Sequence, residues 1–176
     1  VLKGLPQCRV RPRQAHDLDV CVEVLAGVHE RDGYPVNWPE KPAAWLDYPA
    51  LLAAWVAELD GRIVGHVGLS RSEEGDVAAA LWSMREGVAV EGTAVVSRLY
   101  VAPSARGHGI GALLMARAVR EARALELHPV LDVVASDTSA AALYEHLGWA
   151  LLATVEQQWG PAQTVTVRCY AAPEDP

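Results

Sequence analysis

Three glycines in five residues, Gly107, Gly109 and Gly111, stand between an apolar β-branched run and a long helical pattern. Val95–Val101 reads as a buried strand, ended by Pro103. Ile110–Leu127 reads as a helix with Leu113, Leu114, Ala116, Val119 and Ala122 on its buried face. A strand that feeds a helix through glycines presents several backbone N–H groups at the helix start, where the macrodipole adds about half a positive charge. Phosphate or pyrophosphate is the natural ligand of such a turn. Glycines let it approach the main chain where a Cβ would collide, and Arg106 supplies an ionic contact. Two familiar phosphate motifs fail: Ala112 stands where G-x-G-x-x-G needs glycine, and no Gly-Lys-Ser/Thr follows. A Gly-rich turn with no ligand is the bland alternative.

The rest of the chain fits an α/β protein around that junction. Cys8–Arg13 reads as a short strand. Leu18, Cys21, Val22, Leu25 and Val28 fall at helical spacing up to Asp32-Gly33, and Pro42 suits the start of a short helix, Ala43–Asp47. Asp60-Gly61 joins Ala53–Leu59 to Arg62–Ser70 as a hairpin. Val77–Arg85 reads as an inserted helix, and Val130–Ala135 as a second buried strand. Asp137 caps a helix from Thr138 to Leu147, which Gly148 ends. Leu151–Trp159 and Thr164–Tyr170 form a last hairpin around Gly160-Pro161, and the tail Ala171–Pro176 is expected to fray.

No repeat, low-complexity tract or linker divides the sequence, so one domain over residues 1–176 is expected. A net charge of −7 argues against a nucleic-acid partner, which needs a basic face, and suits a cationic small substrate. No run approaches the roughly 18 apolar residues of a membrane span, and Val1–Pro12 lacks the apolar stretch of a signal peptide. Three widely spaced cysteines without a CxxC pair point to a reducing compartment, with cytoplasm as the default location. The six histidines show no metal-ligand spacing, so no metal is expected.

The segment Arg98–Gly111 resembles the strand, turn and helix of the acetyl-CoA-dependent GNAT-type N-acetyltransferases. Their turn reads R-x-x-G-x-G/A, matched by Arg106, Gly109 and Gly111. Asp137–Trp149 resembles that superfamily's second motif, N-x-x-A-x-x-L-Y-x-x-x-G-F, at Ala140, Leu143, Tyr144 and Gly148. Ala57–Gly65 looks like the hairpin that precedes the first motif, and the likeness covers about Ala53 to Tyr170. Asp137 replaces Asn, Trp149 replaces Phe, and residues 73–92 are an insertion.

The resemblance implies a central mixed sheet with two splayed parallel strands flanked by helices. It implies transfer of the acetyl group of acetyl-CoA to a primary amine by direct attack in a ternary complex. Leu99, Tyr100 and Val101 would hold the pantetheine arm through their backbone, with one N–H polarising the thioester carbonyl. Arg106, Gly107, His108, Gly109, Ile110, Gly111, Ala112 and Asp137 complete the cofactor set. Tyr144 is the expected proton donor to the departing thiolate. An ordinary tyrosine near 10 lies above a thiol near 8.5, so a hydrogen bond to the thiolate is the safer role.

For the base that frees the amine, Glu30, Asp32, His66 and Glu91 are open choices, although His66 also suits a hydrogen-bonded structural histidine and His108 a solvent-facing one. The three cysteines offer no nucleophile: Cys21 sits in the apolar stripe of the first helix, and Cys8 and Cys169 are expected on outer strands. The irregular stretch His29–Trp38 is expected to border the acceptor. There Glu30 and Asp32 would attract an ammonium group, and Tyr34 or Trp38 would pack on it. Its bland alternative is a loop pinned against the core by its aromatics. The partner is a small-molecule amine, with no nucleic acid and no membrane, and a homodimer is left open. The rival class is a non-catalytic acyl-CoA-binding or sensor module; retention of Tyr144 favours the enzyme.

Overall fold

A computed structural model describes residues 7–174. Seven strands form one mixed sheet in the order β1-β2-β3-β4-β5-β7-β6. They are β1 (Cys8–Pro12), β2 (Leu51–Leu59), β3 (Arg62–Arg71), β4 (Thr93–Val101), β5 (His128–Val134), β6 (Ala150–Gly160) and β7 (Gln163–Ala171). The α-helices are α1 (Leu18–Asp32), α2 (Pro42–Leu46), α3 (Val77–Glu86), α4 (Ile110–Ala124) and α5 (Thr138–His146). None of them is long and apolar enough to cross a membrane. Every element expected from the sequence is present, with ends shifted by at most three residues.

The chain forms two compact units, each made of two separate segments. One runs up to Leu69 and takes in Arg98–Ala118; the other is Ser70–Ser97 with the chain from Val119 onward. A division that the backbone crosses three times leaves no linker in the sequence.

In the first unit, β1 runs antiparallel to β2 from Cys8 opposite Leu59 to Pro12 opposite Trp55. The β2–β3 turn has positive φ at both central residues, Asp60 (51°) and Gly61 (78°), as a type I′ hairpin requires. Cys21, Leu25 and Val28 of α1 make a core with Leu46, Val56 and Tyr100. Arg11 anchors the entry to α1: its guanidinium holds the buried Asp17 carboxylate at 2.7 and 2.9 Å and reaches Glu58 at 2.7 Å. The Arg11 guanidinium first, and then the Gln14 N–H that donates to the same carboxylate at 2.7 Å, lower the Asp17 pKa to about 2.

In the second unit, β4 and β5 run parallel over three residue pairs only, Thr93–Val95 against His128–Val130. That ladder stops well short of the end of either strand. β7 pairs antiparallel with β5 on one side and β6 on the other, and α3 packs on this group with Trp82 stacked 4.0 Å from the His128 ring.

Three expectations are corrected. The buried stripe of α4 is Ile110, Leu114, Met115, Ala118 and Ala122, whereas Leu113 and Ala116 are exposed and Val119 is half-buried. A spacing of three or four residues follows the helix; the expected set was too wide for one face. Cys169 lies on an inner strand, β7, fully buried, because the last hairpin folds back with β7 rather than β6 against β5. The tail does not fray at its start. Ala171 ends β7, and the Ala172 N–H donates to the Pro129 carbonyl at 2.9 Å. The last two residues of that tail, like the first six of the chain, lie outside the described residues.

Candidate active site

The glycine-rich turn lies wholly in the first unit. β4 gives way to a short 3-10 turn, Pro103–Ala105, after which Gly107 (φ 86°) and Gly109 (φ 71°) take left-handed backbone that other residues rarely adopt. A Cβ added at either would meet no atom of the described residues within 4 Å, so the space beside the turn is open. Among the described residues no acceptor takes the N–H groups of Gly107 to Ala112. Consecutive unsatisfied donors at the start of a fifteen-residue helix make a cradle for an oxyanion, and a diphosphate fits it. The His108 ring turns back, with Nδ1 donating to the Ala105 carbonyl at 3.0 Å.

Arg106 does not extend freely beside this cradle. Its guanidinium reaches the Asp32 carboxylate at the last residue of α1 and the Val101 carbonyl at 3.3 Å. The turn is thereby tied to the C-terminal end of α1, where a cation also suits the helix dipole. Both side chains remain well exposed, so an arriving anion can compete for the arginine.

The backbone of β4 has two directions. An added Cβ at Gly65 would lie 3.2 Å from the Tyr100 carbonyl oxygen, and the Ala102 N–H donates to the Val64 carbonyl at 2.7 Å. Tyr100 and Ala102 thus turn their main-chain groups toward β3. By the alternation of a strand, Leu99 and Val101 turn theirs away from it, and the Val101 carbonyl is the one that meets Arg106. Tyr100 contributes its side chain to the core, its hydroxyl donating to the Cys21 carbonyl at 2.9 Å. Of the three backbone positions expected to hold pantetheine, Leu99 and Val101 have the groups that face away from β3.

At Arg98 the strand is distorted locally without being interrupted. Its φ of 55° lies in the left-handed region, which costs a non-glycine residue about 1–2 kcal/mol. Two contacts hold it there. The His66 Nδ1 donates to the Arg98 carbonyl at 2.9 Å, and the Arg98 guanidinium lies 3.9 Å over the Trp45 ring with Nε donating to the Trp45 carbonyl at 3.2 Å. His66 is fully buried, stacked on Tyr100 at 5.2 Å. Arg13 Nη1 stands 3.0 Å from its Nε2. A guanidinium only donates, so Nε2 is the acceptor and Nδ1 carries the proton. Desolvation lowers the His66 pKa to about 4. With both ring nitrogens engaged, His66 cannot take a proton from an amine; among the four candidate bases it is the one the structure removes. Burial also raises the Cys21 and Cys169 thiols to about 11, away from nucleophilic thiolate.

A sequence model of the Acetyltransferase (GNAT) family matches residues 24–149, well over half of the chain. The chain belongs to the GNAT acetyltransferase family. No curated protein shows significant sequence similarity to it. Its fold is that of solved GNAT structures. Arabidopsis thaliana NAA60 in complex with acetyl-CoA superposes with a TM-score of 0.71 at 18% identity, over 94% of this chain and 97% of that one. The ribosomal-protein-S18-alanine N-acetyltransferase of Escherichia coli gives 0.69 at 17% identity, over 95% and 94%. yncA of Salmonella typhimurium with its cofactor acetyl-CoA gives 0.65 at 20%, over 96% and 95%.

The remaining expected GNAT residues fall as follows. Tyr144 on α5 is buried, with its ring 6.1 Å from Trp149 and 6.0 Å from Tyr170. The Tyr170 hydroxyl donates to Glu145 at 2.9 Å. Asp137 caps α5, accepting from the Ala140 N–H at 3.0 Å. In the expected acceptor segment, Asp32 is engaged with Arg106. Tyr34 packs toward Trp45 and Tyr100 at 6.2 and 6.4 Å, and exposed Trp38 packs on His29 at 5.2 Å. The His29 ring meets the Pro35 carbonyl at 2.7 Å, so the loop is pinned by its aromatics, and Glu30 is exposed on α1. Glu91 is exposed in the short 3-10 turn before β4. Among the described residues no group of three His, Cys, Asp or Glu side chains could hold a metal ion.

The sequence reading missed Arg13 and Arg98 as parts of this region. A signal existed for Arg98: a charged residue inside an otherwise apolar run, Val95–Val101.

Proposed function

We propose that this GNAT protein transfers the acetyl group of acetyl-CoA to a primary amine by direct attack in a ternary complex. The observation that carries the reading is the row of unsatisfied N–H groups from Gly107 to Ala112 beside open space. Those donors bind the diphosphate of the donor molecule, and Arg106 exchanges Asp32 for phosphate oxygen when it arrives. Acetyl-CoA supplies an activated acetyl carbon on sulfur. The main-chain groups of Leu99 and Val101 pair with the pantetheine arm as an added strand would. One of these N–H groups polarises the acetyl carbonyl.

The new bond is C–N and the broken bond is C–S. The amine enters as ammonium and gives up a first proton to water or to one of the remaining candidate bases, Glu30, Asp32 or Glu91. Tyr144 donates a hydrogen bond to the leaving thiolate, which takes up the second proton that the nitrogen sheds as the amide forms and leaves as the thiol. His66, Cys21 and Cys169 take no part. The acceptor is a small-molecule amine that enters along Glu30, Asp32, Tyr34 and Trp38, and the protein works in the cytoplasm.

The test is thiol release from acetyl-CoA with a panel of amines. The wild type is expected to release thiol only when an amine is present. Tyr144→Phe should lower kcat about 100-fold while leaving the affinity for acetyl-CoA nearly unchanged. Acetyl-CoA binding without amine-dependent release across the panel would instead favour a sensor module.

A further inference from the structure

We propose that Arg98 recognises the carboxylate of the acceptor, which makes the acceptor class α-amino acids rather than simple alkylamines. This rests on the acetyltransferase reading above and names the substrate class of that same site. Three arginines of the first unit have their donors taken up by neighbouring acceptors. Arg11 is engaged by Asp17 and Glu58. Arg13 is engaged by the Leu46 carbonyl, His66 and Asp47, and Arg106 by Asp32 and the Val101 carbonyl. Arg98 differs. Only its Nε is bonded, to the Trp45 carbonyl, and among the described residues nothing accepts from Nη1 or Nη2, while neither atom is sealed from solvent.

That open edge is held in place. The guanidinium lies 3.9 Å over Trp45 and 4.9 Å from the Tyr48 ring centre. Its Nε hydrogen bond fixes the rotation of the plane, and the left-handed backbone of Arg98 re-aims the side chain out of the apolar strand. Asp47, at the end of α2, pairs with Arg13 and leaves Arg98 unneutralised. A planar cation that rests on aromatic faces and offers two parallel donors is matched by a carboxylate in a bidentate pair.

Position gives the carboxylate its use. Arg98 directly precedes Leu99, whose backbone is read above as part of the thioester cradle, and it leans on the α2 side. An α-amino acid held by its carboxylate at Arg98 carries its amine only two bonds away, so one anchor sets the approach of the nucleophile. A chain of net charge −7 repels a plain anion, whereas a zwitterion adds no net charge.

The rival role for Arg98 is structural: holding the bend in β4 and nothing more. The two separate in a ratio. Thiol release from acetyl-CoA is measured with a set of free L-amino acids and with the corresponding α-carboxamides, which keep the amine and lose the charge. The wild type is expected to show kcat/KM at least about tenfold higher for the best amino acid than for its amide. In Arg98→Gln that ratio should fall to near one, through KM of the amino acid. A structural role lowers both rates together and preserves the ratio. If the variant does not fold, the wild-type ratio decides alone, with Arg98→Lys, which keeps charge but not the fork, expected to fall between. Amides accepted as well as amino acids, or acetylation of other amines with no amino acid accepted, would overturn the proposal. Failure of the wild type to bind acetyl-CoA would overturn the acetyltransferase reading itself, and the Arg98 assignment with it.

Discussion

The glycine-rich turn and the cluster around His66 flank the same stretch of β4 and treat hydrogen-bonding capacity in opposite ways. In the turn, Gly107 to Ala112 present main-chain donors with no acceptor among the described residues. In the cluster, His66 has both ring nitrogens engaged, and Arg13 is bonded to a carbonyl, a ring nitrogen and a carboxylate. The cluster over-determines a bend that would otherwise relax, which is what a left-handed Arg98 needs. The turn is under-determined, which is what a ligand site needs. Ionisable side chains in a site are therefore not all candidates for chemistry: His66 is among the most perturbed groups of the first unit and serves to hold a carbonyl.

The largest expected effect breaks the turn. Gly111 lies inside α4 and, unlike Gly107 and Gly109, is not at positive φ, so a side chain there adds bulk without forcing the backbone. Gly111→Val should weaken acetyl-CoA binding at least about 100-fold, or roughly 2.8 kcal/mol, with a melting curve close to that of the wild type. Calorimetry on the folded variant checks this; unchanged affinity would take the turn out of the cofactor site.

A smaller effect sharpens the role of the cluster. The folded-state pKa of His66, about 4, lies below its ordinary 6.5. The unfolded chain therefore binds the proton first as pH falls. The stabilisation is fully present above pH 6.5 and is lost progressively toward pH 4, up to about 3 kcal/mol. Asp17, lowered to about 2 from 3.8, extends the loss into more acidic solution, since its contribution persists above pH 3.8. Denaturant melts between pH 7 and pH 4 measure the slope, and the imidazole resonance of His66 should not move between pH 8 and pH 5. A His66 that titrates near 6.5 would show that it is not locked by Arg13 and Arg98.

How much of this was legible in the sequence follows the same contrast. The turn was legible because glycine spacing, a proline stop and a helix start are local, and Asp60-Gly61 was legible for the same reason. The cluster was not. Arg13, Trp45, His66 and Arg98 are far apart in sequence, and the left-handed conformation of Arg98 has no local cause: it is held by residues on α2 and β3. The α4 stripe was half legible: the expected Leu114 and Ala122 are buried, while Met115 and Ala118 were not expected, since which side of an alanine-rich helix packs depends on its neighbours. The three-pair ladder between β4 and β5 depends on register, which an apolar run with no alternation leaves unspecified.

Amide resonances read directly whether the backbone donors of the turn bind acetyl-CoA. Titrating acetyl-CoA into isotopically labelled protein should shift the N–H signals of Gly107, Gly109 and Gly111 downfield, as charge-assisted hydrogen bonds to phosphate form, with the His66 side chain unmoved. Saturable binding that shifts amides elsewhere and leaves these glycines in place would contradict the account.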